Sequence, residues 1–281
     1  MDKSKMIPIE NDLMFSSVMR NEDACIRLLQ AIFPDKEIEK IEYLEDFDRE
    51  GESIELQPQK FLQVNPLSKS VRLDLYFKNS DTVYNVELQK TDKKNIAHRA
   101  RYYSSIIDGN LLERGMTYNQ LLDSYVIFLC TFDPFDRDRY IYKFSSICQE
   151  EDLCEGNGRY NIYLNTKGSK GDINFDLEKF FEYINGGVAA IGRETDSKLL
   201  KTIDGYVKEF NGSGTWRKGF MKWELMLKEN YEKGVADEKT KAKEKEAQNI
   251  RNMYEDNVPI SKIGQYFSLS EDEVRDILSV K

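Results

Sequence analysis

At 281 residues the chain is too long for one minimal module and short for three domains, and 40% hydrophobic residues with 12% aromatics suffice for a sizeable core. A single histidine, His98, excludes most hydrolytic chemistries: Ser-His-Asp, Cys-His and His-ligated zinc sites lack their parts unless His98 serves alone. The net charge of −9, from 41 Lys and Arg against 50 Asp and Glu, argues against an indiscriminate nucleic-acid coat but leaves room for a local basic face. Hydrolysis here has to run on carboxylates, lysines, tyrosines and a bound hard cation. The four cysteines, Cys25, Cys130, Cys148 and Cys154, form no CxxC pair. With no signal-like start and no apolar run near membrane-spanning length, the expectation is a reduced, cytoplasmic protein with no membrane partner.

In chain order, Ile9 to Met19 reads as a capped helix, with Asn11 or Asp12 placed to accept a first-turn N–H. Asn21 to Asp23 interrupts it, and a second helix runs to Pro34. Residues 38–44 and 53–64 are strand candidates, and Pro66 with Ser68 and Ser70 marks a turn. Val71 to Phe77 alternates as a strand, Asn79-Ser80-Asp81 turns tightly, and Thr82 to Gln89 alternates again. Ile96 to Leu112 reads as a helix with Gly115 near its end. Ser124 to Cys130 is the near-continuous apolar run of a buried strand, followed by more amphipathic strands at Tyr140–Ile147 and Tyr160–Leu164. From Asp176 the pattern is helical to the end. Residues 226–248 form a charge-laced helical connector.

Asp74 and Glu87 sit on the two strands joined by the tight turn. Side chains alternate along a strand, so Arg72, Asp74 and Tyr76 share a face, as do Asn85, Glu87 and Gln89. Paired as a hairpin, the two strands bring both carboxylates to one face, a donor set suited to magnesium. Such an ion polarises a phosphodiester and lowers the pKa of the attacking water. Two acids on the polar face of a half-exposed hairpin are more often plain solvated charges, and the surrounding charge decides between these readings. Between Lys69 and Tyr103, eight basic residues oppose four acidic ones, a net of +4 inside a chain that totals −9. A basic stretch around a carboxylate pair suits a phosphate backbone held over a metal.

The block Lys69-Ser70-Val71-Arg72-Leu73-Asp74, the strand Asn85-Val86-Glu87-Leu88-Gln89 and the helix segment Arg99-Ala100-Arg101-Tyr102-Tyr103-Ser104 resemble the PD-(D/E)XK nuclease family transposases, relatives of the recombination-promoting nucleases. The resemblance runs over roughly residues 8 to 225. It implies an α/β (α+β) fold of restriction-endonuclease type, a mixed sheet flanked by helices, with Asp74 and Glu87 as ligands of Mg2+ or Mn2+. It also implies a third functional position in the first helix at Asp12, a residue equally suited to cap that helix. The superfamily usually has lysine where this chain has Gln89, which can orient a water but brings no charge. Arg72, on the Asp74 face, or Arg99, from the next helix, is placed to supply it. Lys90 points to the opposite face. DNA contacts are expected from Arg72, Lys90, Lys94, Arg99 and Tyr102, whereas the lone helical His98 is read as a surface residue and Trp216 and Trp223 as packing or interface residues.

The chain therefore divides into a nuclease-like domain (1–225), the connector (226–248) and a small helix-turn-helix-like unit (249–281). In that last unit Ser270 and Glu273 form a capping-box pattern. Four basic residues face six acidic ones between Ile250 and Lys281, which favours contact with protein over DNA. The leading reading is a metal-dependent DNA endonuclease, with homo-oligomerisation compatible with it. The alternative is a nuclease fold without catalysis, acting as a DNA-binding or protein-assembly module. A DDE-type transposase core fits less well, because no well-placed third acid follows the Asp74/Glu87 pair.

Overall fold

A computed structural model describes residues 6–43, 60–62, 71–73, 75–186 and 195–279. It divides into two compact units, Met1–Arg217 and Lys218–Lys281.

In the first unit, helices α1 (Asp12–Met19) and α2 (Glu22–Ile32) precede the short strands β1 (Glu42–Tyr43), β2 (Lys60–Leu62) and β3 (Val71–Leu73). Then follow β4 (Leu75–Asn79), β5 (Thr82–Gln89), helix α3 (Ile96–Leu111) and β6 (Asp123–Cys130). Strands β7 (Ile141–Phe144), β8 (Ile147–Cys148), β9 (Leu153–Cys154) and β10 (Arg159–Asn165) and helices α4 (Phe175–Gly186) and α5 (Lys198–Gly212) complete it. The main sheet has the order β1-β4-β5-β6-β10-β7. Its centre, β5-β6-β10, is parallel, while β1, β4 and β7 are antiparallel to their neighbours. This is the mixed sheet flanked by helices that a restriction-endonuclease-like fold requires.

The β4–β5 hairpin forms where the alternation and the turn residues place it. Asn79 pairs with Thr82 across Ser80 and Asp81, and Ser80 takes the left-handed conformation (φ 48°) that so tight a reversal demands. Residue 74, within the expected strand from Val71 to Phe77, lies outside the described residues. Val71–Leu73 pairs with Lys60–Leu62, whereas Leu75–Asn79 pairs with β5, so each part of one alternating run finds its hydrogen bonds in a different ladder. The expected strand Tyr140–Ile147 divides, β7 staying in the sheet and Ile147–Cys148 pairing with Leu153–Cys154 in a separate hairpin.

Both sheet faces are covered. Helix α3 is the crossover between the parallel strands β5 and β6, and its stripe Ile96, Ala100, Tyr103 and Ile107 recurs at i, i+4, i+7 and i+11. The stripe packs with Tyr76, Val83, Val126 and Phe128; full burial of each large apolar side chain stabilises by about 1.5–3 kcal/mol. On the opposite face the register places Phe77, Tyr84, Tyr125 and Tyr160 side by side on four adjacent strands. Their rings stack with centroids 5.6, 5.3 and 4.6 Å apart. Phe33, at the end of α2, closes over Tyr84 and Tyr125. These cross-strand contacts fix the register that aligns the residues of the site.

In the second unit the charge-rich segment is continuous helix, within α6 (Gly214–Glu255). Helices α7 (Ile260–Phe267) and α8 (Glu271–Ser279) pack with its end around Ile250, Ile263 and Val274. The capping box is present: Ser270 N donates to Glu273 Oε2 at 2.7 Å, and Glu273 N donates to Ser270 Oγ at 3.2 Å.

Candidate active site

Glu87 lies near the C-terminal end of β5, an interior strand parallel to β6, where open α/β sheets present their functional groups. Alternation turns Val83, Asn85 and Glu87 to one face, and Val83 joins the cluster under α3. That face is not the half-exposed polar surface expected of a plain hairpin. The crossover helix covers it, and Glu87 is only 2% exposed. Two residues earlier, Asn85 is fully buried, and among the described residues neither its amide oxygen nor its amide nitrogen has a hydrogen-bond partner.

A buried carboxylate requires a counter-charge, and α3 supplies it. Arg99 Nη2 stands 3.5 Å from Glu87 Oε2 and donates to Tyr103 Oη at 2.8 Å. Arg99 Nη1 donates to Gln89 Oε1. The guanidinium carbon lies 5.3 Å from the Tyr103 ring centroid and 5.4 Å from that of Phe128, within cation–π range. Arg99 and Tyr103 are four apart on one helix, so they share the face turned to the end of β5. Gln89 donates its Nε2 to the Leu88 carbonyl at 2.7 Å, so both ends of its amide are engaged. Among the described residues, the positive charge beside Glu87 and Gln89 comes from the following helix.

The other sequence-derived residues are distributed around this point. Asn11, not Asp12, caps α1: its Oδ1 accepts from Leu13 N at 3.0 Å and Met14 N at 3.2 Å. That leaves the Asp12 carboxylate clear of capping, and its Oδ1 pairs with Lys90 Nζ at 3.1 Å. Lys90 directly follows β5, so Asp12 reaches that end of the sheet through Lys90. Lys94 is tied to Asp92, Nζ to Oδ2, at 2.7 Å, and this contact holds the Asp92 carboxyl below its usual range. Tyr102 is half-buried against the α3 cluster, and His98 is exposed. Asp74 and the side chain of Arg72 lie outside the described residues. Sequence reading assigned a DNA contact to Tyr102, and it is Tyr103 that holds the arginine; the i, i+4 spacing from Arg99 was the available signal. Nothing in the sequence marked Asn85 as a buried amide without a partner among the described residues.

Cys130, the Cα partner of Gln89 on β6, is not a nucleophile, because burial pushes its thiol up to about 12. Among the described residues no group of three or more His, Cys, Asp and Glu side chains is placed to hold a metal. The oxygen donors at the end of β5 are nevertheless those a hard cation uses: a buried carboxylate from Glu87 and an amide oxygen from Gln89.

A family model, PD-(D/E)XK nuclease family transposase, matches residues 12–154, half of the chain. The chain belongs to that family. The match runs from Asp12 through the Glu87–Gln89 strand and the Arg99–Tyr103 helix to Cys154, a shorter span than the resemblance over residues 8 to 225. Neither the curated proteins nor the solved structures yield a match. Membership supports a nuclease-type function with DNA as the class of substrate, and PD-(D/E)XK nucleases generally use divalent metals. Among the described residues no helix is long and apolar enough to cross a membrane.

Proposed function

We propose that this family member is a DNA endonuclease that hydrolyses phosphodiesters with Mg2+ or Mn2+ held by Asp74 and Glu87. The observation that carries the reading is a carboxylate buried at the end of a parallel strand, inside the family match, with an arginine and an amide converging on it. Structural carboxylates are seldom buried this deeply unless paired or put to use. When bound, the cation polarises the phosphodiester and acidifies the attacking water. Glu87 is held beside Arg99, whose Nη2 stands 3.5 Å from its Oε2. Arg99 presents a planar fork to the phosphate, supplying the charge that Gln89 lacks. Gln89, held by Arg99 and the Leu88 carbonyl, keeps one amide N–H for a water. Asp12 serves as an accessory acid beside Lys90. Lys90, Lys94, Tyr102 and Arg72 contact the DNA backbone near the site, with the exposed Lys93 and Arg101 adding to the basic face.

The second unit is assigned to contact with protein, not DNA. Helix α8 opens with Glu271, Asp272 and Glu273, and Arg275 is already paired with Asp272 at 3.0 Å and Glu271 at 3.1 Å. A catalytically silent nuclease fold that binds DNA is the second reading, favoured by one observation: Lys90, the lysine next to Gln89, is paired with Asp12. Cleavage of supercoiled plasmid with Mg2+ or Mn2+, with EDTA, and with Asp74→Asn and Glu87→Gln separates the two. The endonuclease reading expects nicking that EDTA and both substitutions abolish. Binding without nicking under any divalent ion would establish the silent fold.

A further inference from the structure

Arg99 is bound to three groups, and the three contacts are unequal. Its bonds to Tyr103 Oη, at 2.8 Å, and to Gln89 Oε1 are hydrogen bonds, and the rings of Tyr103 and Phe128 lie within cation–π range of the guanidinium. Its approach to Glu87 Oε2, at 3.5 Å, is charge attraction at the outer limit of hydrogen-bond length. The anchors that hold Arg99 in place are therefore not the carboxylate it neutralises. The Glu87 side chain is 3% exposed and that of Arg99 28%, so the carboxylate is shut from water while the arginine side chain keeps partial contact with it.

We propose that Arg99 couples the binding of metal and DNA at this site, an inference that rests on the metal-dependent reading above. In the free protein Arg99 neutralises Glu87, and a divalent cation approaching that carboxylate meets a fixed positive charge that cannot leave, because Tyr103 and Gln89 retain it. Metal binding to the free protein is weakened accordingly. A backbone phosphate offers the partly exposed Arg99 a new anionic partner, of the kind arginine binds well. Glu87 is then released to the cation. By linkage, metal must strengthen DNA binding by the same factor that DNA strengthens metal binding. The protein thereby assembles a charged, metal-loaded site only on its substrate.

The test is Mn2+ titration of the full chain, read as free Mn2+ by electron paramagnetic resonance, in the wild type, Arg99→Gln, Arg99→Met and Arg99→Lys, with Glu87→Gln as control. An opposite charge within about 4–6 Å typically changes the charged state of a carboxylate by tenfold or more. Arg99→Gln and Arg99→Met are therefore expected to bind Mn2+ about tenfold or more tightly than the wild type. Arg99→Lys keeps the charge and should stay near the wild type. A short fluorescent duplex, titrated with and without Mn2+, should gain more affinity from the ion with wild type than with Arg99→Gln. A Glu87-dependent Mn2+ site whose affinity is unchanged or weaker in both neutral variants overturns the coupling and leaves the metal site standing. Absence of any Glu87-dependent Mn2+ binding overturns the metal reading and the coupling together.

Discussion

Removing Arg99 should destabilise the fold chiefly through what it leaves behind. At 3.5 Å, and with an effective dielectric of about 20, the gross attraction between Arg99 and Glu87 is about 5 kcal/mol. Desolvation of the carboxylate consumes most of it, so the pair adds little net stability while intact. Arg99→Ala keeps the desolvation cost and loses the attraction. For a fully buried pair such a loss is about 3–5 kcal/mol; the partial exposure of Arg99 reduces the expected value to about 2–3 kcal/mol. Glu87→Gln removes the buried charge in an isosteric way and should change stability by about 1 kcal/mol or less. The double variant should then recover part of the loss, with a coupling of about 2 kcal/mol in the double-mutant cycle. Urea unfolding of the four proteins at pH 7, followed by circular dichroism, measures each corner. Additivity within about 0.5 kcal/mol would refute the reasoning, because it would mean that Glu87 does not depend on Arg99 for its charge.

Three further outcomes follow from other parts of the molecule. Burial raises the pKa of Asp108, more than Arg159 lowers it; stability contributed by its protonated form is lost as pH rises from the unfolded value through the folded one. Asp108→Asn should therefore gain stability over the wild type at pH 7 but not at pH 3, as read by thermal unfolding at both. Gly264 packs so closely that an added Cβ would stand 2.6 Å from the Leu269 carbonyl oxygen. Gly264→Ala should loosen the α7–α8 turn by about 1–3 kcal/mol, seen as faster amide exchange in residues 250–279 with the first unit unchanged. Cys148 and Cys154 are exposed and Cys130 is buried with a raised pKa, so iodoacetamide at pH 8 should label the first two and spare Cys130, as peptide mass spectrometry would show.

What the sequence could reveal depended on how local the signal was. The β4–β5 hairpin was legible because alternation and the Ser80–Asp81 reversal specify it within a few residues, and the same alternation put Asn85 and Glu87 on one face. The α3 stripe was legible from its 3.6-residue period. The partner exchange between Val71–Leu73 and Leu75–Asn79 was not, because alternation records which face a side chain takes and not which strand its backbone joins. Nor was the burial of Glu87: a carboxylate flanked by Val86 and Leu88 reads as surface until a crossover helix is laid over it. The choice of Asn11 over Asp12 as the cap turned on backbone geometry one residue wide. Arg99 was one of two candidate charge sources in the sequence, and its contacts with Glu87 and Gln89 are seen while the side chain of Arg72 lies outside the described residues. The i, i+4 spacing from Arg99 to Tyr103 was legible, their contact only once the helix was in place.

The endonuclease reading stands or falls on Glu87 as a ligand of the cation that drives phosphodiester cleavage. Its most direct test measures binding and cleavage of one end-labelled DNA duplex in Mg2+ by the wild type and by Glu87→Gln under single-turnover conditions. The expected result is retained DNA binding with cleavage lower by about a thousandfold or more, the scale on which loss of a transition-state electrostatic partner is felt. Equal cleavage by the two proteins would contradict it.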